Sequence, residues 1–115
     1  YFDLHQDSPY MNIVARVRPD KQKIIPAVTH TDGTARVHTV DRDTNPLFWK
    51  LINAFEKKTG IGVLLNTSFN IQEPIVENPS QAIDCFLRSS VDILAIGPYL
   101  CDSEWRKKVT RISNE

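Results

Sequence analysis

The chain has 115 residues, 41% of them hydrophobic and 24% charged, with a formal net charge of +0. That length accommodates one domain and not two full ones, the apolar content is that of a folded protein, and the balanced charge excludes a strongly basic surface built to coat nucleic acid or anionic lipid. Apolar runs such as Ile61 to Leu65 and Ile93 to Ile96 are far too short to span a bilayer and no signal-peptide pattern precedes them, so no membrane contact and a cytoplasmic location are expected.

Tyr10 to Arg18 is rich in β-formers (Ile13, Val14, Val17) and ends at Pro19-Asp20, which predicts a strand closed by a turn. Lys21 to Lys23 reads as a solvated loop. Thr29-His30-Thr31-Asp32-Gly33 is a polar connection whose Asp-Gly pair favours a tight turn. From Thr34 to Val40 the alternation predicts a second strand, with Ala35 and Val37 on one face and Thr34, Arg36 and His38 on the other.

Phe48, Leu51, Ile52 and Phe55 recur at the spacing that gathers them on one face of a helix. Asn45 or Thr44 can cap its first amides, Pro46 suits the first helical position, Lys57-Lys58 oppose the dipole and Gly60 can take the left-handed stop. Gly62 to Leu65 reads as a buried strand and Ile71 to Val76 as an irregular crossing segment. Asn78-Pro79 opens a second helix carrying Ala82, Ile83, Phe86 and Leu87, and Ile93 to Ile96 is a further apolar strand closed by Gly97-Pro98. Two buried strands joined through a helix predict a parallel βαβ crossover, while the earlier strands read as antiparallel. The fold class is therefore α/β, a mixed twisted open sheet with helical crossovers. Asp102 to Ile112 could close the chain as an amphipathic helix through Trp105, Val109 and Ile112.

The apolar run ending at Leu65 stops abruptly at Asn66-Thr67-Ser68-Phe69-Asn70, a cluster of short polar side chains. Open α/β sheets bind ligands beyond the carboxyl ends of their strands, so this cluster is placed to hold a small polar substrate. The competing role is an ordinary turn whose side chains satisfy only local backbone groups. Cys85 and Cys101 lack CxxC or Cys/His spacing, and reduced thiols are expected. His30, Asp32 and His38 lie close in sequence, yet without a recognised ligand spacing no metal is assigned to them. Asp41, Asp43, Glu56 and Glu73 read as solvated or capping carboxylates, and no acid/base pair stands out.

Three segments, Ile25 to Val37, Leu64 to Asn70 and Glu73-Pro74-Ile75-Val76, together resemble the C-terminal domain of the O-carbamoyltransferases of the NodU/TobZ type. The resemblance implies a YrdC-like fold, truncated on its N-terminal side at Tyr1, with residues 1–100 as the C-terminal part of that domain and 101–115 as a tail. It implies binding of ATP, with Mg, and of carbamoyl phosphate, to form carbamoyl adenylate. An N-terminal actin-like ATPase-type domain of the same chain, absent here, would hold iron and pass the carbamoyl group to an acceptor hydroxyl. The isolated segment is expected to be inactive.

Within that resemblance Ser68-Phe69-Asn70 matches the family's Ser-x-Asn element, whereas its Lys-x-Arg element has no counterpart. The family's Gly before Glu-Pro is replaced by Gln72. Forming an acyl adenylate gathers negative charge, so Arg36 is expected to grip phosphate oxygens, Ser68 to donate to one and Asn70 to meet the planar carbamoyl group. Thr67 and His30 are secondary candidates. The competing role of Arg36 is a salt bridge on an exposed sheet face. Two other functions fit less of the pattern: a threonylcarbamoyl-adenylate synthase-like enzyme, disfavoured by Asp32-Gly33-Thr34-Ala35-Arg36, and a non-catalytic nucleotide- or RNA-binding module, disfavoured by the neutral charge.

Overall fold

A computed structural model describes residues 1–112. Its elements are β1 (Phe2–Asp3), β2 (Ile13–Val17), a 3₁₀ turn (Pro26–Val28), β3 (Thr34–Val37), α1 (Pro46–Thr59), α2 (Pro79–Arg88), β4 (Leu94–Ile96), β5 (Tyr99–Cys101) and α3 (Ser103–Ile112). The architecture is mixed α/β, with open sheets and helices. Chain contacts divide it into two compact units, Tyr1–Asn66 and a second beginning at Thr67.

The first unit is built on the antiparallel sheet β1-β2-β3. Ala15 and Val17 of β2 and Ala35 and Val37 of β3 are buried, while Val14, Arg16 and Arg36 between them are exposed, as period-two alternation requires. Val17, Ile25 and Ala35 form the core, covered by Tyr1, Phe2, Val28, Ile61 and Val63. The Asp-Gly turn forms as the sequence predicts: Gly33 has φ +77°, its amide donates to the His30 carbonyl at 2.9 Å, and the His30 amide donates to the Thr34 carbonyl at 2.7 Å.

The ends of α1 follow their local signals. The Asn45 side chain accepts from the Phe48 amide at 3.3 Å, Pro46 occupies the first turn, and Gly60 at φ +76° donates to the Glu56 carbonyl. The covered face, however, is Phe48, Trp49, Ile52 and Asn53, and none of these is fully buried; Leu51 and Phe55 are exposed. The apolar stripe is thus wider than the side of the helix that meets this unit.

Gly62 to Leu65 is not a strand. The segment carries no ladder hydrogen bonds, and Val63 packs instead on the Val17, Ile25 and Ala35 core. Every ladder among the described residues is antiparallel, so the expected parallel pairing of this segment with residues 93–96 is absent from them. An apolar run fixes burial, whereas a strand also needs a neighbour offering free backbone groups.

The second unit packs α2 and α3 around the hairpin β4-β5. Asn78 caps α2 by accepting from the Gln81 amide at 3.0 Å, and the helix buries Ala82, Cys85 and Phe86. Phe86, Leu94 and Cys101 make the core, with Phe69, Ile83, Ile96 and Trp105 against it. The hairpin turns at Gly97-Pro98, Gly97 taking φ +54°. Asp102 caps α3 by accepting from the Trp105 amide at 2.9 Å, so the expected last helix forms; the end of the 101–115 tail lies outside the described residues. Among the described residues no helix is long and apolar enough to cross a membrane.

Candidate functional site

Arg36 stands on the exposed face of β3, directly opposite Val14 of β2. It has neither an ion pair nor a side-chain hydrogen bond to any described residue, so the sheet-face salt bridge does not form. Arg36 and His38 do not share a surface. The β3 ladder ends at Val37, and His38 turns inward, half-buried, with its ring 6.0 Å from that of Phe48 in an edge contact.

His30 and Asp32 are both engaged by Thr34. The Thr34 hydroxyl donates to Asp32 Oδ1 at 2.7 Å and its amide donates to the same oxygen at 3.0 Å. These two bonds hold the Asp32 carboxyl below its ordinary range. His30 Nδ1 lies 3.0 Å from the Thr34 hydroxyl, so His30 is first of all a turn residue at the entry to β3. Among the described residues no three His, Cys, Asp or Glu side chains stand together as metal ligands.

In the second unit Phe69 anchors the polar loop by inserting into the Phe86 and Leu94 core, and its carbonyl accepts from the Val76 amide at 3.2 Å. The residues beside it are thereby fixed near the surface: Ser68 is exposed and Asn70 half-buried. Thr67 and Ser68 make no side-chain hydrogen bond to a described residue, unlike the strand-end turn that was the alternative for them. The Asn70 amide donates to the Glu73 carbonyl at 2.8 Å, which leaves its side-chain oxygen for other partners.

Glu73 is more than a solvated carboxylate. Oε1 accepts from Arg88 at 2.9 Å and Oε2 from the Gln72 amide at 3.1 Å, and Arg88 also binds Asp84 of its own helix at 2.9 Å. The Glu73 and Gln72 backbone amides, with Arg88 behind them, lower the Glu73 carboxyl to about 2. The loop after Asn70 is closed by this arrangement. Cys85 lies buried on the same helix, and burial raises its thiol. The fifteen-residue separation of Glu73 and Arg88 hid this pairing from sequence reading, although Arg88 four residues after Asp84 signalled half of it.

The first unit also carries an open pocket of about 460 Å³ lined by Phe2, His38, Trp49, Asn53, Glu56 and Val63, among others. At its margin the Asn66 amide donates to His38 Nδ1 at 3.1 Å, and the Arg42 guanidinium covers the Trp49 ring at 5.4 Å. Thus Arg36 and His30 belong to the first unit, and Thr67, Ser68 and Asn70 share one loop of the second.

Residues 1–103 match the family described as Carbamoyltransferase C-terminus. The nodulation protein NolO of Bradyrhizobium diazoefficiens is 54% identical over 93 residues, 80% of this chain and 17% of that protein. A 3'-hydroxymethylcephem-O-carbamoyltransferase of Amycolatopsis lactamdurans is 47% identical over 68 residues, 57% of this chain and 13% of the relative. Nodulation protein U of Rhizobium tropici is 43% identical over 63 residues, 55% of this chain and 11% of the relative. The chain therefore spans less than a fifth of the length of these relatives.

Proposed function

The chain belongs to the carbamoyltransferase C-terminus family, and from that premise we propose that it is the adenylate-forming part of an O-carbamoyltransferase. Residues 1–100 form the C-terminal part of a YrdC-like domain and 101–115 its tail. The substrates are ATP and carbamoyl phosphate. An actin-like ATPase-type domain in the same protein receives the activated carbamoyl group and transfers it to an acceptor hydroxyl.

Carbamoyl phosphate loses inorganic phosphate to water, leaving carbamate. A carbamate oxygen then forms a bond to the α-phosphorus of ATP, the bond from that phosphorus to the β-bridging oxygen breaks, and pyrophosphate departs. No proton needs to be abstracted at the reacting oxygen, so positioning and charge neutralisation dominate. In the first unit Arg36 is the residue suited to grip phosphate oxygens through its planar guanidinium; in the second, taken by itself, Ser68 is suited to donate its hydroxyl to a substrate oxygen and Asn70 to present its free side-chain oxygen to a carbamoyl amide. His30 and Thr67 are helpers at most, His30 because its Nδ1 faces Thr34. Mg accompanies ATP as the substrate complex. The described residues do not fit an iron site, and no step here runs through iron.

The observation that carries the reading is Arg36, an exposed guanidinium on a sheet face with no carboxylate partner among the described residues. Radiolabelled carbamoyl phosphate tests it in a complete carbamoyltransferase carrying this sequence. Labelled carbamoyl adenylate and pyrophosphate are expected. An adenylate formed only from threonine and bicarbonate would contradict the assignment.

A further inference from the structure

Arg36 is not the only guanidinium on the open face of the first sheet. Antiparallel register places Val14 opposite Arg36 and Arg16 opposite Thr34, so Arg16 and Arg36 are diagonal neighbours on the same exposed face. Such diagonals bring Cβ atoms to roughly 7–8 Å, within easy convergence for two long side chains. On its other side Arg16 faces Asp3 of β1 in register, yet the two form no ion pair, and neither arginine has a carboxylate partner among the described residues. Arg18, just past the end of β2, differs: it lies 3.5 Å from Asp20.

Two like charges left together on one sheet face oppose folding slightly, and the Asp3 carboxylate opposite Arg16 offsets this only through space, without an ion pair. Val14, opposite Arg36 and two residues before Arg16, is 61% exposed and offers no polar group of its own. An anion bridging both guanidiniums would relieve the repulsion, and a phosphate chain suits a pair of planar forks better than a single carboxylate does. Resting on the reading of Arg36 as a phosphate ligand, we infer that Arg16 is a second phosphate-binding residue for the triphosphate of ATP. Arg36 and Arg16 then act as a cross-strand clamp, and Arg16 determines how strongly a triphosphate is favoured over a monophosphate.

The test is titration of a complete carbamoyltransferase carrying this sequence with ATP and with AMP for wild type, Arg16→Ala, Arg16→Lys, Arg36→Ala and the double alanine variant. Arg16→Ala is expected to weaken ATP about tenfold, with a much smaller effect on AMP and a shallower salt dependence. Arg16→Lys should recover only part of the loss, and the double variant should lose less than the sum of the singles. Both side chains are exposed, and circular dichroism checks that each variant folds. If Arg36→Ala weakens ATP while Arg16→Ala does not, the clamp is overturned and the proposed function stands. If neither substitution has an effect, the phosphate-binding role of Arg36 fails as well.

Discussion

Arg88, at the end of α2, holds the Glu73 carboxylate at 2.9 Å and thereby fastens the loop that follows Asn70 to a helix buried through Ala82, Cys85 and Phe86. Both partners are partly exposed, so the ion pair alone contributes little to stability. Its effect is positional: the Asn70 amide binds the Glu73 backbone, and Glu73 in turn is held from the other side.

This arrangement sets an acid dependence. Glu73 is lowered from the ordinary 4.5 to about 2, so the unfolded chain takes up this proton at higher pH than the folded one. Its contribution is complete above about 4.5 and disappears as pH falls toward 2. A carbon-13 NMR titration of the Glu73 carboxyl should show the low midpoint. In Arg88→Gln the midpoint should rise only part of the way, because the Glu73 and Gln72 amides act more strongly than the guanidinium. A midpoint of 4.5 in the wild type would refute the loop geometry.

Asn70 combines a structural bond with a proposed substrate contact, and substitutions separate them. Asn70→Ala and Asn70→Asp both remove the donor to the Glu73 carbonyl, and each should cost about 0.5–1.5 kcal/mol in urea unfolding. On the proposed contact, only Asn70→Asp places a new negative charge near bound substrate, so it should bind ATP more weakly than Asn70→Ala. Equal ATP affinities for the two variants would argue against a role in binding.

Ser8 is fully buried, its hydroxyl donating to the Val37 carbonyl at 2.8 Å and its amide to the Thr39 hydroxyl at 2.8 Å. It clamps the segment before β2 onto the end of β3. Ser8→Ala removes a buried hydrogen bond from the Val37 carbonyl, which keeps its ladder partner on β2, and should destabilise the protein by about 0.5–1.5 kcal/mol. The denaturation midpoint should fall with an unchanged slope; an unaltered midpoint would contradict the clamp.

The Asn66 side-chain nitrogen can only donate, so His38 Nδ1 accepts and its ring proton resides on Nε2. Nitrogen-15 NMR should report that tautomer in neutral His38. Asn66→Asp replaces the donor with an acceptor and should move the proton to Nδ1. An Nδ1-protonated ring in the wild type would show that the bond is not made.

Legibility from the sequence followed the range of the interaction. The caps of α1 and α2 and the Asp-Gly turn depend on residues within a few positions of one another and form as read, whereas β2 and β3 form over shorter spans than Tyr10 to Arg18 and Thr34 to Val40, leaving His38 off the face of Arg36. The inner face of α1 did not follow the Phe48, Leu51, Ile52 and Phe55 stripe, because periodicity locates an apolar band without saying how much of it a small sheet can cover. Gly62 to Leu65 looked like a strand because burial and strand pairing leave the same apolar signature. Arg36 in the first unit and Ser68 and Asn70 in the second are legible as residue types in a family pattern. Glu73 with Arg88, and Arg16 with Arg36, depend on tertiary placement and register that no local spacing encodes.

The most direct measurement is calorimetric titration of ATP and carbamoyl phosphate into a complete carbamoyltransferase carrying this sequence and into its Arg36→Ala and Ser68→Ala variants. The account predicts saturable ATP binding to the wild type, weakened about tenfold or more by Arg36→Ala and measurably by Ser68→Ala. Identical affinities for all three proteins would contradict it.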